Sequence, residues 1–276
     1  MAPPVYFLLH VPKTAGKSIQ HHLIARCAPG VFWRPEGASD FSIAIGRPYR
    51  LAGMPPPEKL GAVAGHFLGR SLERYFPGRE IRRVVLLRDP VGLLVSLYNF
   101  RMIRALARGR GTYGFDLHLA ALPHDFVTHY LLSRWLELPW PRLLAMSSSR
   151  KYGLVNDALR HFWFVGAYAE CDRVMAAIAD DLGVPPVAPR VNRTAASRDK
   201  IGWKALTVAD LSPQQKHAIE ARHPIDMALW QSWRGADFNP GAVTAAPLGD
   251  AHAGFLAHEI VRPAYEITRL ARRRWG

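Results

Sequence analysis

The chain has 276 residues, 49% of them hydrophobic, which is enough for one α/β core with insertions or for two small domains at most. Its 36 basic and 22 acidic residues give a formal charge of +14, which favours an anionic partner: a nucleotide, an acidic glycan, a nucleic acid or a membrane surface. Two cysteines are too few for a disulfide scaffold, and no Cys, His or acidic group has the spacing of a metal site, so we predict neither.

The N-terminal sequence MAPPVYFLL has neither the basic start nor the long apolar run of a signal peptide. No segment reaches the roughly 18 uncharged apolar residues that a membrane span requires. We therefore expect a cytoplasmic protein.

Taken in chain order, the apolar runs predict a parallel sheet. Val5–His10 is continuously apolar, as in a strand covered on both faces, and a loop over Val11–Gly16 and a helix over Lys17–Cys27 follow it. Residues 28–60 are rich in Pro and Gly, and we interpret them as an irregular excursion. Further strands are predicted at Gly61–Phe67, Ile81–Asp89 and Phe162–Tyr168.

Helical patterns alternate with these strands. The pair Asp89-Pro90 is typical of a helix start, because Asp caps the first turn and Pro is tolerated at the first helical position. Other helical patterns cover Phe115–Ala121, Asp125–Leu138, Tyr152–His161, Cys171–Leu182, Ser212–His223, Pro224–Trp233 and Phe255 to the end. The alternation predicts one α/β domain over residues 1–234, with a central parallel sheet of about four or five strands flanked by helices. Residues 235–276 then form an extension that ends in a basic helix.

The loop after the first predicted strand has the composition of a phosphate site. It reads PKTAGKS, which is half of the P-loop motif G-x-x-x-x-G-K-[ST], with Val11 where the first glycine of that motif stands. A strand–loop–helix unit directs backbone N–H groups and the positive helix end toward an anion. Charge and hydrogen-bond donors are added by four side chains: Lys13, Thr14, Lys17 and Ser18.

Four sequence blocks, in order, resemble those of sulfotransferases that use 3′-phosphoadenosine 5′-phosphosulfate (PAPS) as sulfuryl donor. HVPKTAGKSIQ and VVLLRDPVGLLVSLYNF resemble the two nucleotide-binding blocks of these enzymes. FVGAYAE with the later VNRT, and IDMALWQSW, resemble the remaining two, with Trp230 and Trp233 in place of the usual aromatic residues. The chain resembles the carbohydrate sulfotransferases that include the uronyl and heparan sulfate 2-O-sulfotransferases, over roughly residues 5–234.

The resemblance implies transfer of a sulfuryl group from PAPS to a hydroxyl of a carbohydrate or glycoconjugate, without a metal ion. It places the donor on the loop residues Lys13, Thr14, Ala15, Gly16, Lys17 and Ser18. It assigns Arg88 and Ser96 to the 3′-phosphate, and Arg193 with Thr194 to a nucleotide contact from a later loop. The family usually has Gly-Gly-Thr where this chain has Ala-Gly-Lys at positions 15–17.

His66 is the candidate catalytic base. It ends a strand within GHF, which resembles the histidine motif of the family, and a neutral imidazole can accept a hydroxyl proton near neutral pH. Arg88 ends another strand, and ligands of open α/β sheets bind outside the carboxyl ends of strands, so Arg88 and Lys13 should share one crevice. We expect Lys13 to stabilise charge between the sulfuryl group and the leaving 5′-phosphate.

Two other functions fit parts of the sequence. A P-loop kinase or NTPase would need the missing glycine and an Mg²⁺-linked Asp at the end of an apolar strand, for which VVLLRD offers Asp89. A basic nucleic-acid or membrane-surface binding protein would explain the charge and the tail RPAYEITRLARRRWG, whose five arginines suit a basic amphipathic helix. No nucleic-acid-binding motif accompanies this tail, so we assign it only a secondary contact with an anionic substrate or lipid surface.

Overall fold

The structure is a computed structural model, and it describes residues 4–16, 18–20, 23, 31–34, 54–66, 68–185 and 202–242. Five parallel strands form one sheet in the order β2-β3-β1-β4-β5. The strands are β1 (Val5–Leu9), β2 (Phe32–Trp33), β3 (Ala62–Gly65), β4 (Ile81–Leu87) and β5 (Phe164–Ala167). Helices flank this sheet, so the predicted α/β class with a central parallel sheet is confirmed.

The central strands are covered on both faces, which is why their sequences are continuously apolar. All five residues of β1 are buried, and six of the seven residues of β4 are buried. Alternate residues of β1 enter two different hydrophobic clusters: Phe7 and Leu9 pack on one face of the sheet, and Tyr6 and Leu8 pack on the other.

The strand order creates a crevice between β1 and β4. These two strands are neighbours, although the chain forms β2 and β3 before it reaches β4. The chain therefore leaves β1 toward one edge of the sheet and leaves β4 toward the other edge, where β5 lies. In open α/β sheets ligands bind outside the carboxyl ends of two strands at such a reversal. The residues after Leu9 and after Leu87 are brought together there.

The flanking helices are α1 (Pro90–Leu106), α2 (Phe115–Ala120), α3 (Phe126–Tyr130), α4 (Trp140–Ala145), α5 (Ser148–Arg160), α6 (Cys171–Asp181), α7 (Pro213–Arg222) and α8 (Pro224–Trp233). A π-helical turn, Leu131–Trp135, continues α3, and 3₁₀ turns cover Arg70–Tyr75 and Tyr168–Glu170. A further helix begins at Gly16. In the part of the chain described here, no helix is long and apolar enough to cross a membrane.

Local predictions that differ from the structure have identifiable causes. The excursion over residues 28–60 contains β2, which pairs with β3 but has only two residues, too few to show a periodic pattern. The helix predicted over Asp125–Leu138 is not continuous, because α3 passes into the π-helical turn and Glu137 has a φ of 53°. The short helix α4 was not predicted. The helix from Phe255 to the end lies outside the described residues.

α3 and α8 cap each other. Asp125 Oδ1 accepts hydrogen bonds from the backbone N–H groups of Ile225 and Asp226, in the first turn of α8, at 2.8 and 3.2 Å. Asp226 in turn accepts from the backbone N–H groups of Val127 and Thr128, each at 2.8 Å, and is only 4% exposed. Asp226 is the acidic residue of the IDMALWQSW block, and here it fixes the helix that carries Tyr130.

Candidate functional site

The loop between β1 and the helix that begins at Gly16 has two left-handed residues. Lys13 and Ala15 have φ angles of 69° and 63°, which residues other than glycine rarely adopt. Turns with left-handed residues can aim successive backbone N–H groups at one anion. The buried Thr14 hydroxyl donates to the Val11 carbonyl at 2.9 Å. The Thr14 side chain therefore stabilises the loop from within, while the loop backbone remains the candidate anion site.

Gly16 leaves room for the ring of His10. A Cβ at position 16 would lie 1.9 Å from His10 Cδ2, so a larger residue there would displace the imidazole. His10 is buried, and its Nδ1 lies 3.2 Å from Nε2 of Gln20. Ser18, in the first turn of the helix, is exposed, and its backbone N–H donates to the Ala15 carbonyl at 2.8 Å. The loop and the first helical turn thus fold around the His10 ring.

His66 follows β3 and lies against the same loop, as predicted from the strand ends. Its Nδ1 is 2.8 Å from the His10 carbonyl oxygen, and its ring stacks on the His10 ring with centroids 3.9 Å apart and an interplanar angle of 22°. A carbonyl oxygen only accepts hydrogen bonds, so His66 Nδ1 carries a hydrogen in this contact. The lone pair of neutral His66 is therefore on Nε2, the nitrogen through which this half-buried side chain can accept a proton.

Tyr130 and Arg134 hold this corner of the site together, and neither was identified from the sequence. The Tyr130 hydroxyl lies 2.8 Å from the His10 carbonyl oxygen and 2.6 Å from that of His66. Arg134 Nη1 donates to the His66 carbonyl at 3.1 Å, and its guanidinium lies 4.8 Å from the centre of the Tyr130 ring. Both residues come from α3 and its π-helical turn, a feature that is frequent at functional sites. Tyr130 is 120 positions from His10, so no local pattern marks it.

Arg88 lies at the carboxyl end of β4 and reaches the loop that follows β1. Its Nη1 donates to the Lys13 carbonyl at 3.4 Å, and its guanidinium lies 4.6 Å from the centre of the Tyr168 ring. Among the described residues it forms no ion pair with a carboxylate, since Asp89 caps α1 by accepting from Gly92 N at 2.7 Å. Burial lowers the pKa of the Arg88 guanidinium, and the neighbouring Tyr168 and Asp89 partly offset this effect.

One face of α1 connects Arg88, Ser96 and Lys13. The Arg88 side chain passes Gly92, where a Cβ would lie 3.4 Å from Arg88 Nε. Two turns further on, the Lys13 ammonium lies 4.8 Å from the centre of the Phe100 ring. Residues four apart share a helix face, so Ser96 lies on α1 between the contacts of the two cations. The structure therefore brings the predicted residues Lys13, Arg88 and Ser96 to one surface.

Three predicted site residues lie outside the described part of the chain: Lys17, Arg193 and Thr194. Further along the chain, the segment that contains Trp203 and Leu206 is attached to α1 by Asn99. The Asn99 amide donates to the Leu206 carbonyl at 2.8 Å and accepts from Leu206 N at 3.0 Å and Trp203 Nε1 at 3.1 Å. Trp203 and Leu206 are thus attached to α1 three residues from Ser96.

No model of a known protein family matches the chain, and no characterised protein is significantly similar to it. Function is therefore inferred from the site itself. In its described part, the site brings the cations Lys13 and Arg88, the Ser96 hydroxyl and the oriented His66 imidazole to the carboxyl ends of neighbouring strands. Such a set of groups can bind an anionic ligand and accept a proton from a second molecule beside it.

Proposed function

We propose that this chain is a PAPS-dependent sulfotransferase that transfers a sulfuryl group to a hydroxyl of a carbohydrate or glycoconjugate. The observation that carries the proposal is the contact between Arg88 Nη1 and the Lys13 carbonyl at 3.4 Å. It joins the PKTAGKS and RDP blocks, 75 positions apart, at the crevice where open α/β sheets bind ligands. Because both blocks resemble donor-binding blocks of sulfotransferases, a shared crevice is what the resemblance requires.

The described residues fit an anionic donor. Arg88 suits the 3′-phosphate because a planar guanidinium can donate two parallel hydrogen bonds to phosphate oxygens. Ser96 adds a hydroxyl on the same face of α1, and the absence of a side chain at Gly92 lets the guanidinium lie close to α1. Lys13 and the backbone N–H groups of its loop are assigned to the 5′-phosphosulfate. The remaining donor contacts stay predictions from the resemblance: Lys17, Ser18, Arg193 and Thr194.

The transfer forms a bond between the acceptor oxygen and sulfur and breaks the bond between sulfur and the 5′-phosphate oxygen, so adenosine 3′,5′-bisphosphate leaves. His66 accepts the acceptor proton at Nε2, because its Nδ1–H is donated to the His10 carbonyl. Lys13 stabilises the negative charge that develops on the leaving oxygen, as preorganised positive groups do in group transfer. Lysine and backbone N–H groups thereby act where many phosphoryl transfers use a metal ion.

A P-loop kinase or NTPase fits the described residues less well. Its catalytic strand must end in an aspartate directed at Mg²⁺, whereas Asp89 Oδ2 accepts from Gly92 N at 2.7 Å as a helix cap. Val11, at the position of the missing first glycine, is fully buried with 0% exposure. The tail that motivates a nucleic-acid or membrane-surface function lies outside the described residues. The Asp89 cap and the buried Val11 therefore favour the sulfotransferase over the P-loop kinase or NTPase.

The proposal is tested by incubating the purified chain with sulfur-labelled PAPS and a panel of carbohydrate, glycolipid and simple alcohol acceptors in EDTA. We expect one acceptor class to become labelled, with adenosine 3′,5′-bisphosphate formed in equal amount. His66→Ala should bind adenosine 3′,5′-bisphosphate normally and lose transfer by about 10²–10⁴-fold, the usual contribution of a general base. His217→Ala, which removes an exposed imidazole on α7, is the matched control. Phosphoryl transfer from ATP that requires Mg²⁺, without PAPS turnover, would contradict the proposal.

A further inference from the structure

The His10 imidazole contacts both the phosphate loop and the candidate base. It fills the space that Gly16 leaves open, since a Cβ there would lie 1.9 Å from His10 Cδ2. It also stacks on His66, with ring centroids 3.9 Å apart. His10 is 5% exposed, so its ring is surrounded by protein rather than by water. A movement of the His10 ring would therefore disturb the loop and the base together.

The two stacked rings carry hydrogen on different nitrogens. Gln20 Nε2 is a donor, so His10 Nδ1, 3.2 Å away, accepts, and neutral His10 has its hydrogen on Nε2. His66 has the opposite tautomer, because its Nδ1 donates to the His10 carbonyl at 2.8 Å. Protonation of His10 would place a new N–H opposite the N–H donors of Gln20. Protonation of His66 at Nε2 leaves both of these hydrogen bonds in place.

The surroundings disfavour a second positive charge. The Arg134 guanidinium donates to the His66 carbonyl, and the Tyr130 hydroxyl lies between the carbonyl groups of the pair. The loop and the end of β4 add the cations Lys13 and Arg88 to the same crevice. If both imidazoles were protonated, two positive charges would lie on rings whose centres are 3.9 Å apart. Like charges at this distance oppose each other's ionisation.

We propose that His10 and His66 form a stacked pair that binds a single proton, on His66 Nε2, and that His10 is a positioning residue for this base. Buried His10 remains neutral. Because its ring packs against both Gly16 and His66, it holds the His66 ring in a fixed position relative to the loop. The proton binding of the pair is a property of the protein alone. Its use in removing the acceptor proton rests on the proposed function.

The first test is a titration of the wild-type protein followed by long-range nitrogen–proton NMR of the histidine rings, with assignments from His10→Phe and His66→Phe. We expect neutral His66 to carry hydrogen on Nδ1 and neutral His10 on Nε2. As the pH falls, His66 should become doubly protonated while His10 stays neutral. Protonation of His10 before His66, or of both rings together, would overturn the proposal. The tautomers are read from the wild type, so the test does not depend on the folding of His10→Phe.

A sharper test is Gln20→Glu, which changes only the group that faces His10 Nδ1. A carboxylate there should hold a proton on His10, and the resulting cation should lower the pKa of His66 by about one unit or more. The low-pH limb of the kcat/KM profile should move to lower pH by the same amount. A merely structural role for His10 would give no such displacement.

The matched control is Gln20→Glu combined with His10→Phe. Without the His10 imidazole, the new carboxylate acts on His66 only as a negative charge, so the His66 pKa should rise rather than fall. The same direction of shift in both backgrounds would overturn the proposed coupling between His10 and His66. Because the NMR readout requires neither PAPS nor an acceptor, failure of the pair and failure of the sulfotransferase assignment are distinguishable. If the wild type had the expected tautomers but His66→Ala kept full activity, the proposed pair would stand and its catalytic use would be refuted.

Discussion

Arg88 donates from Nη1 to the carbonyl oxygen of Lys13 at 3.4 Å, and this contact connects the ends of β4 and β1. The Lys13 ammonium meanwhile lies on the Phe100 ring, at 4.8 Å from its centre. A guanidinium has five N–H donors, and the contact with Lys13 uses one of them. Arg88 can therefore hold the loop in place and still donate to a phosphate. Among the residues that the structure describes, Lys13 and Arg88 contribute positive charge to the candidate donor site.

Arg88→Lys and Arg88→Gln test the assignment of the 3′-phosphate. Lysine keeps the charge but loses the planar fork, and glutamine loses both, so the preference for adenosine 3′,5′-bisphosphate over AMP should fall in Arg88→Lys and approach one in Arg88→Gln. The measurement is isothermal titration calorimetry with both nucleotides. Arg150→Gln, at an exposed position of α5, is the matched control and should keep the preference of the wild type. An unchanged preference in Arg88→Gln would remove Arg88 from the 3′-phosphate site.

Lys13→Ala tests whether the ammonium acts in the transfer step. Alanine keeps the restriction on left-handed backbone at this position, where φ is 69°, so the substitution removes mainly the side-chain charge. We expect kcat to fall by more than the affinity for adenosine 3′,5′-bisphosphate, because the charge that Lys13 stabilises develops during transfer. Lys59→Ala, in an exposed turn, controls for the loss of one charge. A rise in KM at constant kcat would instead make Lys13 a residue for uniform binding.

Gly16→Ala tests the packing of the His10 ring. The new Cβ would lie 1.9 Å from His10 Cδ2, and because His10 is buried the ring must move at a cost of about 1–3 kcal/mol in the free energy of unfolding. Gly153→Ala is the matched control, since nothing lies within 4 Å of its added Cβ in helix α5. This control should stabilise the protein by about 0.5–1 kcal/mol through helix propensity. Urea denaturation measures both, and equal effects would contradict the close packing of Gly16 on His10.

Asp125→Asn tests the reciprocal caps through the pH dependence of stability. Burial raises the pKa of Asp125 above its ordinary value of 3.8, and the Asp226 carboxylate adds to this effect. The folded state therefore binds more protons than the unfolded state as the pH rises from 3.8 through the raised pKa, and stability is lost over that interval. Asparagine keeps an oxygen acceptor and tolerates the left-handed backbone. The stability of Asp125→Asn relative to the wild type should therefore increase over the same pH interval.

Asp125→Ala is the companion variant: it loses the same titrating carboxyl and also the cap, so it should be less stable than Asp125→Asn by about 1 kcal/mol at every pH. The measurement is the difference in the free energy of unfolding between each variant and the wild type at several pH values. If the difference for Asp125→Asn decreased with rising pH, the charge on Asp125 would be stabilising and the interpretation of the buried pair would be wrong.

The strands that carry the site could be predicted because burial on both faces leaves a continuous apolar run, as in VYFLL and IRRVVLL. Their ends could be predicted too, since parallel strands place Lys13, His66 and Arg88 at one edge of the sheet. β2 could not, because the two residues Phe32–Trp33 owe their strand conformation to pairing with β3 rather than to a local pattern. A pairing partner distant in sequence leaves no periodic signal.

The side-chain contacts inside the site also could not be predicted from the sequence. Tyr130 lies in a stretch that is typical of a core helix, and only the packing of α3 brings its hydroxyl to the carbonyl groups of His10 and His66. The stacking of His10 on His66 likewise depends on Gly16, which the sequence pattern indicates only as a phosphate-binding residue. Contacts of this kind depend on side-chain shape and on register between elements, neither of which a motif specifies.

Calorimetric titration in EDTA with adenosine 3′,5′-bisphosphate, AMP and ATP tests the central claim most directly. The proposed donor site has Arg88 and Ser96 on the 3′-phosphate, so the bisphosphate should bind at least ~10-fold more tightly than AMP, a difference of about 1.4 kcal/mol. It should do so without Mg²⁺, and addition of Mg²⁺ should not make ATP the tighter ligand. Equal affinities for the bisphosphate and AMP, or tight binding of ATP that depends on Mg²⁺, would contradict a PAPS site.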